Sequence, residues 1–143
     1  MDLILWRHAD AEDGGPDLAR ELTPKGHKQA AAVAKWLRKH LPGDSELVSS
    51  PAVRARQTAE ALGKNIRIEK PLAPGASVEA ILRAAGTRGT VVVVGHQPDL
   101  GNALAYLLSG HAADWRLEKG ALWWLAEQPW IVKAVMSPDL LKY

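Results

Sequence analysis

Four consecutive valines at residues 91–94 constrain the fold more than any other stretch of this chain. A continuous apolar run of this length is typical of a strand that is buried on both faces of a sheet. Such a strand needs a layer of helices on each side. Two further short runs, residues 3–6 and 46–49, predict other strands of the sheet. The valine run therefore favours an α/β fold with three layers.

Helical patterns alternate with these strands. Thr23 is a good N-cap residue and Pro24 fits the first helical position, so a helix begins there and is stopped by Pro42-Gly43. Three more helices are predicted at residues 52–62, 78–85 and 98–108, and a pair of antiparallel strands at residues 121–125 and 131–135. The sequence thus predicts a single three-layer α/β/α domain over residues 1–143, with a mixed, mostly parallel central sheet.

Composition excludes several classes of protein. With 47% hydrophobic and 24% charged residues among 143, the chain is globular and long enough for one sizeable core. It has no cysteine, which excludes disulfides and thiolate chemistry. Because no apolar run is long enough for a signal peptide or a membrane span, we expect a cytoplasmic protein without a membrane partner. A net charge of +2 without a recognised motif argues against nucleic-acid binding, and the oligomeric state stays open.

Positive charge is concentrated in the first long helix. Every ionised side chain between Pro24 and Gly43 is basic, namely Lys25, Lys28, Lys35, Arg38 and Lys39. Most of them share one face at helical spacing. We expect a solvated helix face, and docking of an acidic partner is the alternative.

Basic and imidazole side chains stand where predicted strands and helices meet their loops. Arg7-His8 follows the first strand, Arg54 lies near the start of a helix, and His96 follows the valine run. Because α/β sheets bind ligands at the carboxyl ends of their strands, we expect these side chains to surround one anion. Guanidinium groups suit phosphate oxygens, a neutral imidazole can attack phosphorus, and a second imidazole can donate to the phosphoryl oxygens. This chemistry requires neither a metal ion nor another cofactor.

These motifs resemble those of the histidine phosphatase superfamily, also called the phosphoglycerate mutase-like family. Its signature Arg-His-Gly is present here as Arg7-His8-Ala9. The short length of the chain and residues 20–26, 50–58 and 95–98 are most similar to the SixA-type phosphohistidine phosphatases within that family. The resemblance covers nearly the whole chain and implies a phosphoglycerate mutase-like fold.

The resemblance also implies roles for four residues. His8 is implied as the catalytic nucleophile, while Arg7 and Arg54 hold the phosphoryl group. His96 is implied to complete the phosphate-binding pocket as a hydrogen-bond donor and candidate proton source. All four are therefore both catalytic and phosphate-binding candidates.

One departure from the larger members of the family bears on the substrate. Those members carry a catalytic Glu in the loop after the Arg-containing helix, whereas residues 72–75 offer no carboxylate here. The P–N bond of phosphohistidine breaks readily once the departing imidazole is protonated, but an alkoxide leaving group needs a strong acid. Asp10 is the candidate auxiliary acid. Like Glu12 and Asp17, it lies in a polar loop where acidic residues are often merely solvated.

The expected activity is that of a metal-independent phosphatase that forms a phosphohistidine on His8. Its expected substrate is phosphohistidine in a protein, such as a histidine-containing phosphotransfer domain of a signal-transduction relay. A small-molecule phosphomonoesterase of the same superfamily is the first alternative. A non-catalytic phosphate or phosphoprotein binding module is the second.

Overall fold

The computed structural model describes residues 1–142. Its helices and strands are β1 Asp2–Arg7, α1 Pro24–His40, β2 Glu46–Ser49, α2 Val53–Leu62, β3 Arg67–Ile68, α3 Val78–Ala85, β4 Thr90–Gly95, α4 Asp99–Ser109, β5 Leu122–Ala126 and β6 Ile131–Met136. Three short 3₁₀ helices lie at Asp17–Ala19, Lys70–Leu72 and Pro138–Leu140. The elements predicted from the sequence are all present, and their ends differ from the predictions by only one or two residues.

The ten elements form one six-stranded sheet between two layers of helices. The strand order is β3-β2-β4-β1-β5-β6. β1, β2, β3 and β4 run parallel to one another, while β5 and β6 are antiparallel additions at one side. This arrangement confirms the predicted three-layer α/β/α fold with a mixed, mostly parallel sheet.

The valine strand β4 has a core on each face, as its sequence predicts. Val91 and Val93 pack in one cluster with apolar residues of α3 and α4. Val92 and Val94 pack in the other with apolar residues of α1 and α2. All four valines are buried, since successive side chains of a strand point to opposite faces. The two cores hold the sheet rigidly in place under the loops at its carboxyl edge.

Helix α1 begins as the sequence predicts. The Thr23 hydroxyl accepts a hydrogen bond from the Gly26 N–H at 2.9 Å, and Pro24 occupies the first turn. Its basic side chains Lys25, Lys28, Lys35, Arg38 and Lys39 are exposed, as expected for a solvated face. Within residues 1–142, no helix combines the length and apolarity needed to cross a bilayer.

Candidate active site

The strand order brings three strand ends together. β2, β4 and β1 are adjacent, with Ser49 paired to Val94 and Arg7 paired to Gly95. The residues that follow these strands therefore stand side by side at the carboxyl edge of the sheet. They are Ser50, His96 and His8, and all are buried.

Hydrogen bonds at both ring nitrogens hold His8 in one orientation. Nδ1 lies 2.7 Å from the Ala9 carbonyl oxygen, which can only accept, so Nδ1 carries the hydrogen. Nε2 lies 3.3 Å from Nε of Arg54, which donates to it. Nε2 is therefore the nitrogen with the lone pair, and it faces a guanidinium group.

The surroundings of His8 keep its ring neutral. Burial lowers the pKa of His8 to about 4, the bond to Ala9 opposes this shift, and the positive charges of Arg54, Arg7 and Arg20 add to it. At neutral pH the imidazole is thus unprotonated at Nε2. A neutral imidazole with a lone pair held in one direction is the form that attacks phosphorus.

Arg54 is a buried cation near the start of α2, with only 3% of its surface exposed. Besides His8, it contacts Asp17 twice: Nη1 donates to the backbone carbonyl at 2.7 Å, and Nη2 donates to the carboxylate at 3.2 Å. Burial alone would raise the pKa of Asp17, but the hydrogen bond and charge of Arg54, with help from Arg20, hold it below its usual value. The 3₁₀ helix that carries Asp17 therefore holds Nη1 and Nη2 of Arg54 in place.

Arg7 and His96 each retain a buried nitrogen without a partner. The Arg7 guanidinium donates from Nη1 to the Leu117 carbonyl at 2.8 Å, but its Nε bonds to no atom of residues 1–142. His96 places Nε2 at 2.8 Å from the Ser50 hydroxyl, and its Nδ1 is likewise without a partner in the described part of the chain. Buried polar groups are normally satisfied, so such atoms mark a place for a ligand.

The His96 ring is neutral as well and lies beside His8. The two ring centroids are 5.2 Å apart. Burial, followed by the charge that His8 acquires when protonated and by that of Arg54, lowers the pKa of His96 to about 3. Two neutral imidazoles and two guanidiniums thus converge at one edge of the sheet.

These side chains enclose a pocket of about 180 Å³. Its lining residues are Arg7, His8, Ala11, Asp13, Arg20, Arg54, Pro74, His96, Gln97 and Lys119. All four residues singled out from the sequence line this one pocket, which is rich in hydrogen-bond donors. The arrangement suits a tetrahedral anion beside the lone pair of His8.

Asp10 has a different environment from the four pocket residues. Its carboxylate accepts hydrogen bonds from the Thr23 hydroxyl at 2.8 Å and from Nζ of Lys119 at 3.0 Å. The bond from Thr23 is the largest cause that lowers the pKa of Asp10, and it outweighs the opposing effect of burial. A carboxyl group held ionised in this way is a poor proton donor, which disfavours the role of auxiliary acid that the sequence allowed it.

The loop that carries a catalytic Glu in larger relatives approaches the pocket here through Pro74. Its backbone N–H groups at Gly75 and Ala76 both donate to the buried carboxylate of Asp99, at 3.0 Å each. Asp99 therefore ties this loop to the start of α4. The loop brings no carboxylate to the pocket.

Several pocket contacts escaped the sequence analysis. Gln97 binds the irregular segment 115–117. Its amide nitrogen donates to the Trp115 carbonyl at 2.5 Å, and its amide oxygen accepts from the Leu117 N–H at 3.5 Å. That segment supplies the carbonyl that holds Arg7. The only signal was position, because Gln97 directly follows His96. Ser50 lay within the motif 50–58 but was assigned no role.

The family of the chain follows from a comparison with known proteins. The family model described as histidine phosphatase superfamily (branch 1) matches residues 3–75, about half of the chain. The chain belongs to the histidine phosphatase superfamily. The matched stretch contains Arg7, His8 and Arg54, while His96 lies beyond it. The extension of a single histidine phosphatase domain over residues 1–143 stays a prediction.

Individual members of the superfamily agree with this assignment. An uncharacterized protein of Picosynechococcus is 38% identical, and the match covers 78% of this chain and 77% of the relative. The phosphohistidine phosphatase SixA of Escherichia coli is 30% identical, and the match covers 77% of this chain and 76% of SixA. These matches confirm the predicted superfamily, its SixA type, and the phosphatase class of enzyme.

A solved structure agrees over nearly the whole length. It is a structure of the protein histidine phosphatase SixA complexed with tungstate, with a TM-score of 0.83 and 26% identity. The match covers 98% of this chain and 99% of the other. The fold of this chain is therefore that of SixA.

Proposed function

We propose that this phosphatase hydrolyses phosphohistidine in a protein substrate, through a covalent phosphohistidine on His8 and without a metal ion. The observation that carries the proposal is the state of His8. Its ring is neutral, its Nδ1–H is bonded to the Ala9 carbonyl, and its Nε2 lone pair faces the pocket beside Arg54. A nucleophile and its anion-binding groups are thus already assembled.

In the first step, Nε2 of His8 attacks the phosphorus atom in line with the departing group. The new N–P bond forms as the P–N bond of the substrate breaks, and the electron pair of the broken bond goes to the substrate imidazole. That ring has taken a proton from solvent at its other nitrogen, so it leaves as a neutral imidazole. The guanidiniums of Arg7 and Arg54 and the ring of His96 stabilise the charge on the phosphoryl oxygens.

In the second step, water attacks the phosphorus and the bond to His8 breaks. The electron pair returns to Nε2, the proton of the water passes to solvent or phosphate, and inorganic phosphate leaves. The same donors stabilise both steps, since the phosphoryl group stays in place. The positive charge that the reaction needs comes from arginine side chains, which supports a metal-independent reaction.

Two features of the pocket support a phosphoramidate substrate on a protein. No acid from the loop at Pro74 is available for an alkoxide leaving group, whereas an imidazole leaves once it is protonated. A volume of about 180 Å³ is also below the roughly 300 Å³ at which small-molecule sites begin, so the pocket accommodates a phosphoryl group and little else. The rest of the substrate then lies outside it, as for a side chain presented by another protein.

The relatives support the same choice. The Escherichia coli relative is named a phosphohistidine phosphatase, and the SixA structure holds tungstate, an oxyanion that resembles phosphate. By that similarity we infer a phosphorylated signalling protein, such as a histidine-containing phosphotransfer domain, as partner, in a cytoplasmic relay.

The test is hydrolysis of a phosphohistidine-bearing protein in the presence of a metal chelator, beside para-nitrophenyl phosphate and several sugar phosphates. We expect the highest kcat/KM for phosphohistidine and a loss of roughly 10³-fold or more in His8→Ala. His27→Ala, which removes an exposed imidazole from α1, is the matched control and should leave the rate unchanged. A preference for sugar phosphates would replace the proposal with a monoesterase, and phosphate binding without turnover would replace it with a binding module.

A further inference from the structure

We propose that Ser50 is a positioning residue that fixes the tautomer of His96, so that the Nδ1 of this ring presents a hydrogen to the phosphoryl group. The importance of this hydrogen for turnover rests on the proposed function. The tautomer itself is a property of the resting protein and can be measured without a substrate.

Ser50 is the first residue after β2 and is completely buried. Its backbone N–H donates to the Val94 carbonyl at 3.0 Å, which holds it beside the end of β4. Its hydroxyl oxygen lies 2.8 Å from Nε2 of His96 and accepts a hydrogen bond from the Ala52 N–H at 3.1 Å. The hydroxyl thus stands between a backbone donor and the imidazole.

A count of hydrogens decides the direction of the bond to His96. A serine hydroxyl has one hydrogen to donate and two lone pairs to accept with. The Ala52 N–H already uses a lone pair, and the hydroxyl hydrogen finds no acceptor other than Nε2 of His96 in residues 1–142. Ser50 therefore donates to Nε2. A neutral ring whose Nε2 accepts carries its hydrogen on Nδ1.

The opposite tautomer would leave two buried groups unsatisfied. The Ser50 hydroxyl hydrogen would lack an acceptor, which costs free energy for a buried group. The lone pair of Nδ1 would then meet the anion that Arg7 and Arg54 attract, and the two would repel each other. With the hydrogen on Nδ1, this buried nitrogen instead becomes a donor for a phosphoryl oxygen.

The two imidazoles of the pocket thus have the same tautomer, with the hydrogen on Nδ1, but different partners leave different ring nitrogens for the phosphoryl group. The Ala9 carbonyl accepts from Nδ1 of His8 and leaves a lone pair on Nε2. The Ser50 hydroxyl donates to Nε2 of His96 and leaves a hydrogen on Nδ1. One ring can therefore attack phosphorus while the other donates to its oxygens.

The experiment is ¹⁵N NMR of the histidine rings at neutral pH, in the absence of substrate, for the wild type, Ser50→Ala and Ser49→Ala. Ser49 is the matched control because it is equally buried and loses the same atom, but its hydroxyl donates to the Ser50 carbonyl and not to His96. The spectrum of His96→Gln identifies the signals of His96. We expect a protonated Nδ1 in the wild type and in Ser49→Ala, and a mixture of tautomers in Ser50→Ala.

Two results would overturn the proposal: a wild-type ring with its hydrogen on Nε2, or a Ser50→Ala protein that keeps the wild-type tautomer. If Ser50→Ala does not fold, Ser50→Cys serves in its place. A thiol is a weak donor of similar size, so this variant should also contain some ring with an unprotonated Nδ1.

Kinetics then connect the tautomer to the reaction. Loss of one hydrogen bond to a charged group predicts a roughly 10- to 100-fold lower kcat in Ser50→Ala, with Ser49→Ala near the wild type. Equal losses in the two variants would show a purely structural effect and contradict a positioning role. If the wild type hydrolyses no phosphohistidine at all, the proposed function fails, while the NMR result still decides the tautomer.

Discussion

The carboxyl edge of the sheet, where the parallel strands end, and the amino edge, where they begin, differ in whether their charged side chains have partners. At the carboxyl edge, the pocket of about 180 Å³ contains buried nitrogens of Arg7 and His96 that have no partner in residues 1–142. At the amino edge lies a larger cavity of about 710 Å³, between the ends of α1 and α2 and the starts of β2 and β3. Its arginines are already paired: Arg38 donates to the Ala61 carbonyl, and Arg67 binds Glu69.

This difference shows why size alone does not locate the site. The larger cavity is a surface depression whose two arginines already have partners. The smaller pocket holds cations and imidazoles that lost contact with water on folding and did not gain a protein partner for every buried nitrogen. This loss costs free energy, which a bound anion can offset. The comparison therefore favours the carboxyl edge as the functional site, and the following variants test this proposal.

Among these variants, the largest effect is expected at Arg54. Arg54→Ala removes the donor that faces Nε2 of His8 and a charge that stabilises the phosphoryl group, so kcat/KM should fall roughly 10²- to 10³-fold. Arg56→Ala is the matched control, because this residue lies on the same helix but is exposed. Steady-state hydrolysis of a phosphohistidine protein is the measurement. Similar rates for both variants would remove Arg54 from the site.

A smaller effect is expected at Asp17, whose side chain is more than half exposed. Asp17→Asn keeps the backbone carbonyl that accepts from Nη1 of Arg54 and loses the charged contacts of the carboxylate with Nη2 of Arg54 and with Arg20. Because partly exposed ion pairs contribute little, kcat/KM should fall less than tenfold. An increase in kcat/KM would instead mean that the Asp17 carboxylate competes with the substrate for Arg54.

The response to pH distinguishes the buried imidazoles from ordinary ones. Burial lowers the pKa of His8 to about 4, so its nucleophilic form should persist as the pH falls past 6.5 and be lost only near 4. NMR titration of the ring should show this midpoint in the folded protein. Between these two values the unfolded chain binds more protons than the folded one, so stability should decrease as the pH falls. A midpoint near 6.5 would contradict the buried, neutral ring.

The smallest effect is expected at the amino edge. Arg67→Ala removes the pairing of Arg67 with Glu46 and Glu69 on the surface, and kcat/KM should stay within about twofold of the wild type. The same assay as for Arg54 checks it. A loss comparable to that of Arg54→Ala would break the contrast between the two edges.

The sequence predicted most of the fold and four of the residues that line the pocket, because strands and helices have characteristic periodicities. The buried run of valines placed β4 at the centre, and the end of each strand located Arg7, His8 and His96. A helix start located Arg54. In regular helices and strands, the spacing of residues along the sequence determines where their side chains lie in the fold.

The irregular segments could not be predicted in the same way. The contact of Asp17 with Arg54 and that of Leu117 with Arg7 join residues far apart in sequence through loops without periodicity. The ionised state of Asp10 depends on Thr23 and Lys119, which only the folded loop brings near. The tautomers of the two histidines likewise depend on single hydrogen bonds.

The central claim is that His8 carries the phosphoryl group, and a single-turnover experiment tests it most directly. Enzyme in excess is mixed with a ³²P-labelled phosphohistidine protein, quenched in alkali, and examined for acid-labile label on the enzyme. The account predicts transient label on His8 in the wild type and in His27→Ala, and neither label nor rapid product in His8→Ala. Label on the His8→Ala enzyme, or product formed at the wild-type rate, would contradict it.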